Sequence, residues 1–186
     1  MSNTATNVSV GKPAAGGAIS YAPVGTTLPT SATASLDAAF VTLGYASEDG
    51  LTNSMSIDTN SIKAWGGDTV LTLQTSFEDT FGFKLIEALN DDVLTAVFGS
   101  SNVVESGGAI TVKVNSKERS PMSWVVDMVA TGNKLKRIVI PSAKITEIGE
   151  ITYNDSDAIG YDVTLTATPD SAGQTHYEYI AAAPTT

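Results

Sequence analysis

The stretch IGYDVTLTAT at residues 159–168 alternates between side chains suited to a core and side chains suited to solvent. Ile159, Tyr161, Val163 and Leu165 fall on one face of an extended chain, because successive side chains of a strand point to opposite sides. A period of two residues indicates a strand that is buried on one face only, which is typical of antiparallel sheets. The stretch therefore predicts a mainly β, antiparallel fold.

Comparable patterns recur along the chain from residue 40 onward. Further strands are predicted at residues 54–64, 69–74, 81–85, 110–115, 124–129, 135–140 and 144–153. The pair Gly66-Gly67 between the first two of these favours a hairpin, and Pro141 separates the last two. Residues 76–79 leave two alternatives open, a turn or one long strand that runs through them.

One segment has helical rather than strand periodicity. Asn90 is a good N-cap, acidic residues 91–92 follow where the helix dipole favours them, and Gly99 can end the helix. The apolar residues 93–94 and 97–98 form one face that should lie against the sheet. Many strands with one short flanking α-helix predict an antiparallel β-sandwich or open barrel.

The composition indicates a surface that partner subunits can cover at low cost in desolvation. The 186 residues suit one domain, and 16% of them are charged, against about 25% in an average soluble domain. A surface of Ser, Thr, Ala, Gly and Asn is less costly to desolvate than a charged one. The composition therefore favours assembly into an oligomer.

The net charge of −10 argues against tight binding to nucleic acid, which depends on Lys and Arg displacing counterions. The absence of cysteine excludes disulfide and thiolate chemistry. Neither a secretory signal nor a run long enough to span a membrane is visible in the sequence.

Charge is distributed unevenly along the chain. Residues 1–112 carry a net −8, residues 113–144 carry +5 and residues 145–186 carry −7. The basic middle either forms ion pairs within one fold or provides a complementary edge to another subunit, where charge mainly sets register and partner choice.

Three parts are expected along the chain: an extended N-terminal arm at 1–35, a β-sandwich domain at 36–180 and a C-terminal tail at 181–186. Twenty-five of the first 35 residues are Ala, Gly, Ser, Thr or Pro, and Lys12 is their one charge. Such a segment cannot bury enough surface to order itself, so it is either a flexible leader or an arm that docks on a neighbouring chain. A short strand is expected within it at residues 18–22.

No catalytic residue, metal ligand or cofactor site is predicted, so the chain is not expected to be an enzyme. His176 is the one histidine, and a surface or strand-edge role suits it better than catalysis. Residues 154–157 resemble a calcium loop only faintly, because the glycine and the later glutamate of an EF-hand are missing, and a polar turn explains them.

Several segments, in this order, resemble the major tail protein of long-tailed, siphovirus-like bacteriophages, most closely those of Gram-positive and actinobacterial hosts. They are residues 44–51 (GYASEDGL), 62–70 (IKAWGGDTV), 74–81 (QTSFEDTF), 85–89 (LIEAL), 138–141 (IVIP), 145–151 (ITEIGEI) and 167–170 (ATPD). Each segment alone is only a turn or strand signature, but their order and spacing extend over about residues 17–180.

The resemblance implies a tail tube subunit that forms stacked hexameric rings around a lumen through which viral DNA is delivered. It implies as partners further copies of the chain, the terminator, tape measure and tip proteins of the tail, and passing DNA that is not tightly bound. No membrane partner is expected. The expected location is the virion tail, with the host cytoplasm during assembly.

Two groups of residues are expected at functional positions. Trp65, Gly66, Gly67 and Asp68 are placed at a contact between rings, because a Trp is an economical anchor for an interface and the two glycines permit a tight turn beside it. The alternative is that Trp65 packs on its own domain.

Asp58, Thr72 and Gln74 are expected to face the lumen. If Leu71 and Leu73 point into a core, Thr72 and Gln74 face the other way, and a paired strand can bring Asp58 beside them. The alternative is that this polar face meets outside solvent.

A monomeric β-sandwich of the immunoglobulin type, used for binding or adhesion on a virion or cell surface, is the alternative function. Such a module favours a cluster of exposed aromatic side chains, whereas this chain offers Trp65 and a Trp124 that lies in a buried pattern.

Overall fold

The computed structural model describes residues 3–184, and most of its regular structure is strand. The strands in this range are β1 (Gly11–Pro13), β2 (Ile19–Pro23), β3 (Val41–Thr42), β4 (Ala46–Lys63), β5 (Thr69–Leu85), β6 (Val103–Ser106), β7 (Ala109–Val112), β8 (Met122–Ala130), β9 (Lys134–Ile148), β10 (Tyr161–Ala167) and β11 (Tyr177–Ala182). The α-helix described is α1 (Asp91–Phe98), and two 3-10 helices cover Ala5–Asn7 and Ser100–Asn102. The prediction of a mainly β fold with one short α-helix is confirmed.

Nine strands form one antiparallel sheet, and seven of them follow the order β3-β2-β8-β9-β10-β5-β4. The other two strands continue edges that are partly occupied: β1 pairs with the part of β8 beyond β2, and β11 pairs with the part of β9 beyond β10. Strands β6 and β7 form a separate two-stranded sheet. Strand β8 lies between β2 and β9, as its apolar sequence predicts for a central strand.

The large sheet curls around its core. Strands β5 and β8 are separated by β9 and β10, so in a flat sheet they would lie about 14 Å apart at the usual strand spacing. The ring centroids of Phe83 on β5 and Trp124 on β8 are only 6.0 Å apart. The chain passes directly from edge strand β3 to edge strand β4, and no ladder joins these two edges in the described residues, so the sheet forms an open barrel.

Helix α1 packs on the core as predicted. The side-chain oxygen of Asn90 accepts a hydrogen bond from the backbone N–H of Asp92, and Gly99 ends the helix with a φ of 90°. Its buried side chains are Val93, Leu94, Val97 and Phe98. The ring of Phe98 meets Tyr161 of β10 edge to face at 5.5 Å.

Pro141 does not separate two strands, contrary to the prediction, because β9 continues through it. The register between β8 and β9 shifts there, so that Ser123 lies opposite both Pro141 and Ser142. The Ser123 hydroxyl donates to the Pro141 carbonyl at 2.7 Å. Proline has no backbone N–H, and the bulge places Pro141 where the ladder needs no hydrogen bond from that position.

The predicted N-terminal arm includes residues that join the sheet of the same chain. Residues Ile19–Pro23 pair with β8, close to the strand expected at 18–22, and Ile19, Tyr21 and Ala22 are buried. The division of the chain at residue 35 stays a prediction. At the other end β11 includes Ala181 and Ala182 of the predicted tail. Residues 1–2 of the arm and 185–186 of the tail lie outside the described residues.

Part of the basic middle of the chain pairs internally. Three ion pairs of the described structure join Lys136 to Glu178, Arg137 to Asp127 and Lys144 to Glu118. Arg137 is nearly buried, and its guanidinium also donates to the carbonyls of Ser31 and Ala34. The ion pairs that the structure describes do not include Lys113, Lys117 or Lys134.

Candidate assembly surface

Strands β4 and β5 extend far beyond the core as a two-stranded hairpin. All residues from 52 to 78 are exposed, and we call this segment the projecting hairpin. At about 3.3 Å per residue, the part of β4 from Thr52 to Lys63 spans roughly 37 Å. An isolated two-stranded hairpin is marginally stable in water, so a segment of this length needs a partner surface.

The turn at the end of the projecting hairpin carries the predicted ring-contact residues. The backbone N–H of Gly67 donates to the Ala64 carbonyl at 3.0 Å, and that of Ala64 donates to the Asp68 carbonyl at 2.8 Å. Gly66 and Gly67 have φ values of 117° and 100°, which side chains with a Cβ rarely adopt. The Trp65 side chain is fully exposed, so packing of Trp65 on its own domain is wrong.

Strand β5 runs without a turn through residues 76–79, which resolves the open alternative in favour of one long strand. Asp58 pairs with Ser76, whereas Thr59 pairs with Gln74, so Thr75 is an extra residue in β5. This β-bulge shifts the alternation of β5 by one residue relative to β4.

The bulge separates the residues that were expected to share a lumen face. Thr72 and Gln74 pair with Ser61 and Thr59, and the Ser61 and Thr72 hydroxyls lie 3.4 Å apart. Asp58 belongs to the other face, where its carboxylate accepts a hydrogen bond from Ser76 at 2.8 Å. The expectation that Asp58 lies beside Thr72 and Gln74 is therefore wrong, because sequence alternation alone does not reveal the bulge.

Exposed apolar side chains form two clusters on opposite faces of the projecting hairpin. The proximal apolar patch consists of Met55, Ile57 and Phe77, which lie on the same face as the core residue Phe81. The distal apolar patch consists of Ile62, Leu71 and Leu73 on the other face.

Each member of these patches is between 45% and 59% exposed. In the single chain no core covers Leu71 and Leu73, contrary to the premise on which the lumen positions were predicted.

A buried polar cluster joins the base of the projecting hairpin to the C-terminal segment. Asp79 is completely buried, and its Oδ1 accepts a hydrogen bond from the Asn53 amide at 2.7 Å. Its Oδ2 accepts one from the Thr175 hydroxyl at 2.6 Å, and the Nδ1 atom of His176 lies 2.6 Å from the same oxygen. The His176 ring also meets Phe81 edge to face at 5.3 Å.

Sequence reasoning missed this cluster, although His176 lies directly before β11, in agreement with the strand-edge alternative. Thr175 donates to Asp79 rather than to His176, so these three residues do not form the nucleophile-to-base hydrogen bond of a hydrolase. The available signal was the position of Asp79, which has the same two-residue spacing as the core residues 81, 83 and 85. A carboxylate that is buried with them needs hydrogen-bonding partners.

Residues 154–157 form a polar turn, as predicted. The Asn154 side-chain oxygen accepts hydrogen bonds from the backbone N–H groups of Ser156 and Asp157 at 3.1 and 2.7 Å. None of the helices in residues 3–184 combines the length and the apolar character needed to cross a membrane.

A comparison with protein families matches residues 3–186 to a model described as phage tail tube protein. A search of curated proteins finds no match. The family match covers nearly the whole chain, and it agrees with a mainly β subunit whose long hairpin is left uncovered in the monomer. The chain belongs to the phage tail tube protein family.

Proposed function

We propose that this tail tube subunit forms hexameric rings that stack into a tube and that viral DNA passes through its lumen. The observation that carries the proposal is the projecting hairpin, which exposes apolar side chains on both faces. Exposed apolar patches of this kind mark interaction sites, and copies of the chain are the partners that a tube supplies. The number six comes from the resemblance to tail proteins of long-tailed phages.

Edge pairing between strands of neighbouring subunits is part of this proposal. Strand β4 is the outer strand of the large sheet, and its outward backbone groups have no neighbouring strand in the described structure. A long unpaired edge strand tends to pair with another chain. Pairing in a ring removes such edges and encloses a channel wider than one subunit could form.

The turn at residues 64–68 is proposed to reach the next ring. Trp65 stands at the end of the projecting hairpin, and a large aromatic side chain that becomes buried contributes strongly to binding. Gly66 and Gly67 allow the turn, and Asp68 closes it through its carbonyl.

The lumen wall is proposed to include the polar face that carries Asp58. This face continues through Ser54, Ser56 and Thr80 at the base of the hairpin. Thr72 and Gln74 face the other way, so they belong to the wall only if the hairpin presents its opposite face there.

A ring of six copies would carry a formal charge of −60, six times −10. An acidic wall repels phosphate, which allows DNA to pass without sticking.

The other proposed features follow the tail assignment. Residues 1–35 act as an arm that contacts a neighbouring copy through the exposed residues before β1, where Val8 and Val10 are largely exposed. The terminator, tape measure and tip proteins of the tail are its further partners, and the subunit is in the host cytoplasm before it joins the virion. The subunit acts without catalysis.

Electron microscopy of the purified protein tests the proposal. We expect sixfold rings and tubes from the wild type, whereas Trp65→Ala should fold normally by circular dichroism and fail to form tubes. Tyr153→Ala removes another exposed aromatic outside the hairpin and should still form tubes. Wild-type protein that stays monomeric and binds a glycan would instead support the adhesion module.

A further inference from the structure

The bulge at Thr75 exchanges the polar and apolar faces of the projecting hairpin halfway along its length. Near the core, one face carries the exposed apolar side chains of the proximal patch, and beyond the bulge the same face carries Thr72 and Gln74. On the opposite face the order is reversed, with polar side chains near the core and the distal apolar patch beyond the bulge. A hairpin that docked on one continuous surface would need its apolar side chains on one face only.

The two apolar patches are also separated along the hairpin. Positions 57 and 62 of β4 are five residue steps apart, a distance of roughly 17 Å. One rigid partner on one side could cover one patch but would leave the other in water.

Copies of this chain are the partners that fit the two patches. The family assembles as a tube, so each hairpin is surrounded by further copies. The projecting hairpin offers 27 residues, from 52 to 78, and a standard interface takes about 20–30 residues from each side.

We propose that the projecting hairpin is held between two different copies of the chain, one covering the proximal apolar patch and the other covering the distal apolar patch. This inference rests on the proposed function. It explains why the bulge is useful: a straight hairpin with one apolar face could join only two chains, whereas the bulged hairpin joins three.

Photo-crosslinking in assembled tubes tests the two-copy arrangement. The chain contains no cysteine, so Ile57→Cys and Leu71→Cys can each carry a benzophenone-maleimide probe at a single known position. A trace of tagged, probe-carrying chain is assembled with a large excess of wild-type chain, so that each tagged chain has only unlabelled neighbours. Products are separated on a denaturing gel and the joined peptides are identified by mass spectrometry.

Each single variant should give a two-chain product. The double variant Ile57→Cys with Leu71→Cys should also give a three-chain species. Its fractional yield should be close to the two single-site yields multiplied together. The matched control is the double variant Met55→Cys with Ile57→Cys, whose probes share the proximal patch and should give two-chain products only. Phe77→Cys with Leu73→Cys is a second opposite-face pair, for use if the first pair does not enter tubes.

Two results would count against the inference in different ways. Opposite-face probes that give only two-chain products in confirmed tubes would overturn the two-copy arrangement and leave the tube itself standing. Wild-type protein that forms no tube under any assembly condition would overturn the proposed function and this inference with it.

Discussion

At the scale of single residues, Asp79 shows how the base of the projecting hairpin is held. Its carboxylate is completely buried and receives hydrogen bonds from Asn53 on β4 and from Thr175 in the C-terminal segment. A buried charge is tolerated only when it is paired, so these contacts and His176 are needed for its burial.

Replacing Asp79 with Ala should destabilise the fold by about 3 kcal/mol, because it leaves buried donors without their acceptor. Urea denaturation followed by tryptophan fluorescence measures this loss. Glu105→Ala removes an exposed carboxylate and should change the free energy of unfolding by less than about 0.5 kcal/mol. Equal stability of the two variants would show that the cluster contributes nothing to the fold.

Asp170 and Tyr177 form a second pair at this scale. The Tyr177 hydroxyl donates to the Asp170 carboxylate at 2.7 Å and is the main reason that the pKa of Asp170 lies below its ordinary value. Backbone N–H groups that include that of Gln174 lower it further. Because folding lowers this pKa, the ionised carboxylate stabilises the fold above the pKa of the unfolded chain, and this contribution is lost as the pH falls through the folded pKa.

Tyr177→Phe should therefore raise the pKa of Asp170 towards its ordinary value. An NMR titration of the side-chain carboxyl carbon measures the change directly. Tyr179→Phe removes the neighbouring stacked hydroxyl, which does not contact Asp170, and should leave that titration as it is in the wild type. A titration of Asp170 that is identical in all three proteins would contradict the assigned cause.

At the scale of elements, the projecting hairpin and the curled sheet have separate roles. The buried core consists of side chains from the sheet, α1 and nearby loops, whereas none of residues 52–78 is buried in the single chain. Apart from its base, where Asn53 contacts Asp79, the hairpin should therefore contribute to assembly rather than to the stability of the subunit.

Replacing residues 59–75 with Asn-Gly should remove assembly and leave the fold intact. The two new residues connect Asp58 directly to Ser76, which are already paired, and Asn-Gly favours the tight turn that this connection needs. Thermal unfolding should occur within a few degrees of the wild type, and electron microscopy should show no tubes. Ser61→Ala with Thr72→Ala keeps the hairpin length and both apolar patches, and its tubes should persist. Tubes from the shortened chain would contradict the role of the hairpin.

At the scale of the whole molecule, the question is which face of the subunit lines the channel. The bulge places Asp58 on one face of the hairpin and Thr72 with Gln74 on the other. Thr164 and Thr166 of β10 and Thr80 of β5 alternate with core residues, so they continue the polar face that carries Asp58. A wall of hydroxyl and carboxylate groups holds DNA weakly.

Asp58→Lys should slow DNA ejection from assembled particles, most clearly at low salt, because the new cation attracts phosphate where screening is weak. Thr72→Lys with Gln74→Lys places two cations on the opposite face and should leave the ejection rate unchanged. The measurement is the release of DNA over time from particles confirmed to carry each substitution. The reverse result would assign the wall to the face of Thr72 and Gln74.

The sequence alone was sufficient for features that depend on neighbouring residues. Period-two alternation predicted the strand at 159–168 to within a few residues, and the cap at Asn90 with the acidic first turn predicted α1. The turn at Gly66-Gly67 followed from the need for positive φ. These features are local because side-chain alternation, capping and backbone conformation are decided within a few residues.

Only the tertiary structure decided the features that depend on register and on distant contacts. A bulge is one extra residue relative to a partner strand, so neither the continuation of β9 through Pro141 nor the change of faces at Thr75 can be read from one strand alone. Asp79 and His176 are 97 positions apart, and only the folded chain brings them together. The sequence thus determined the elements and the turn that carries Trp65, whereas strand pairing determined which side chains share a face.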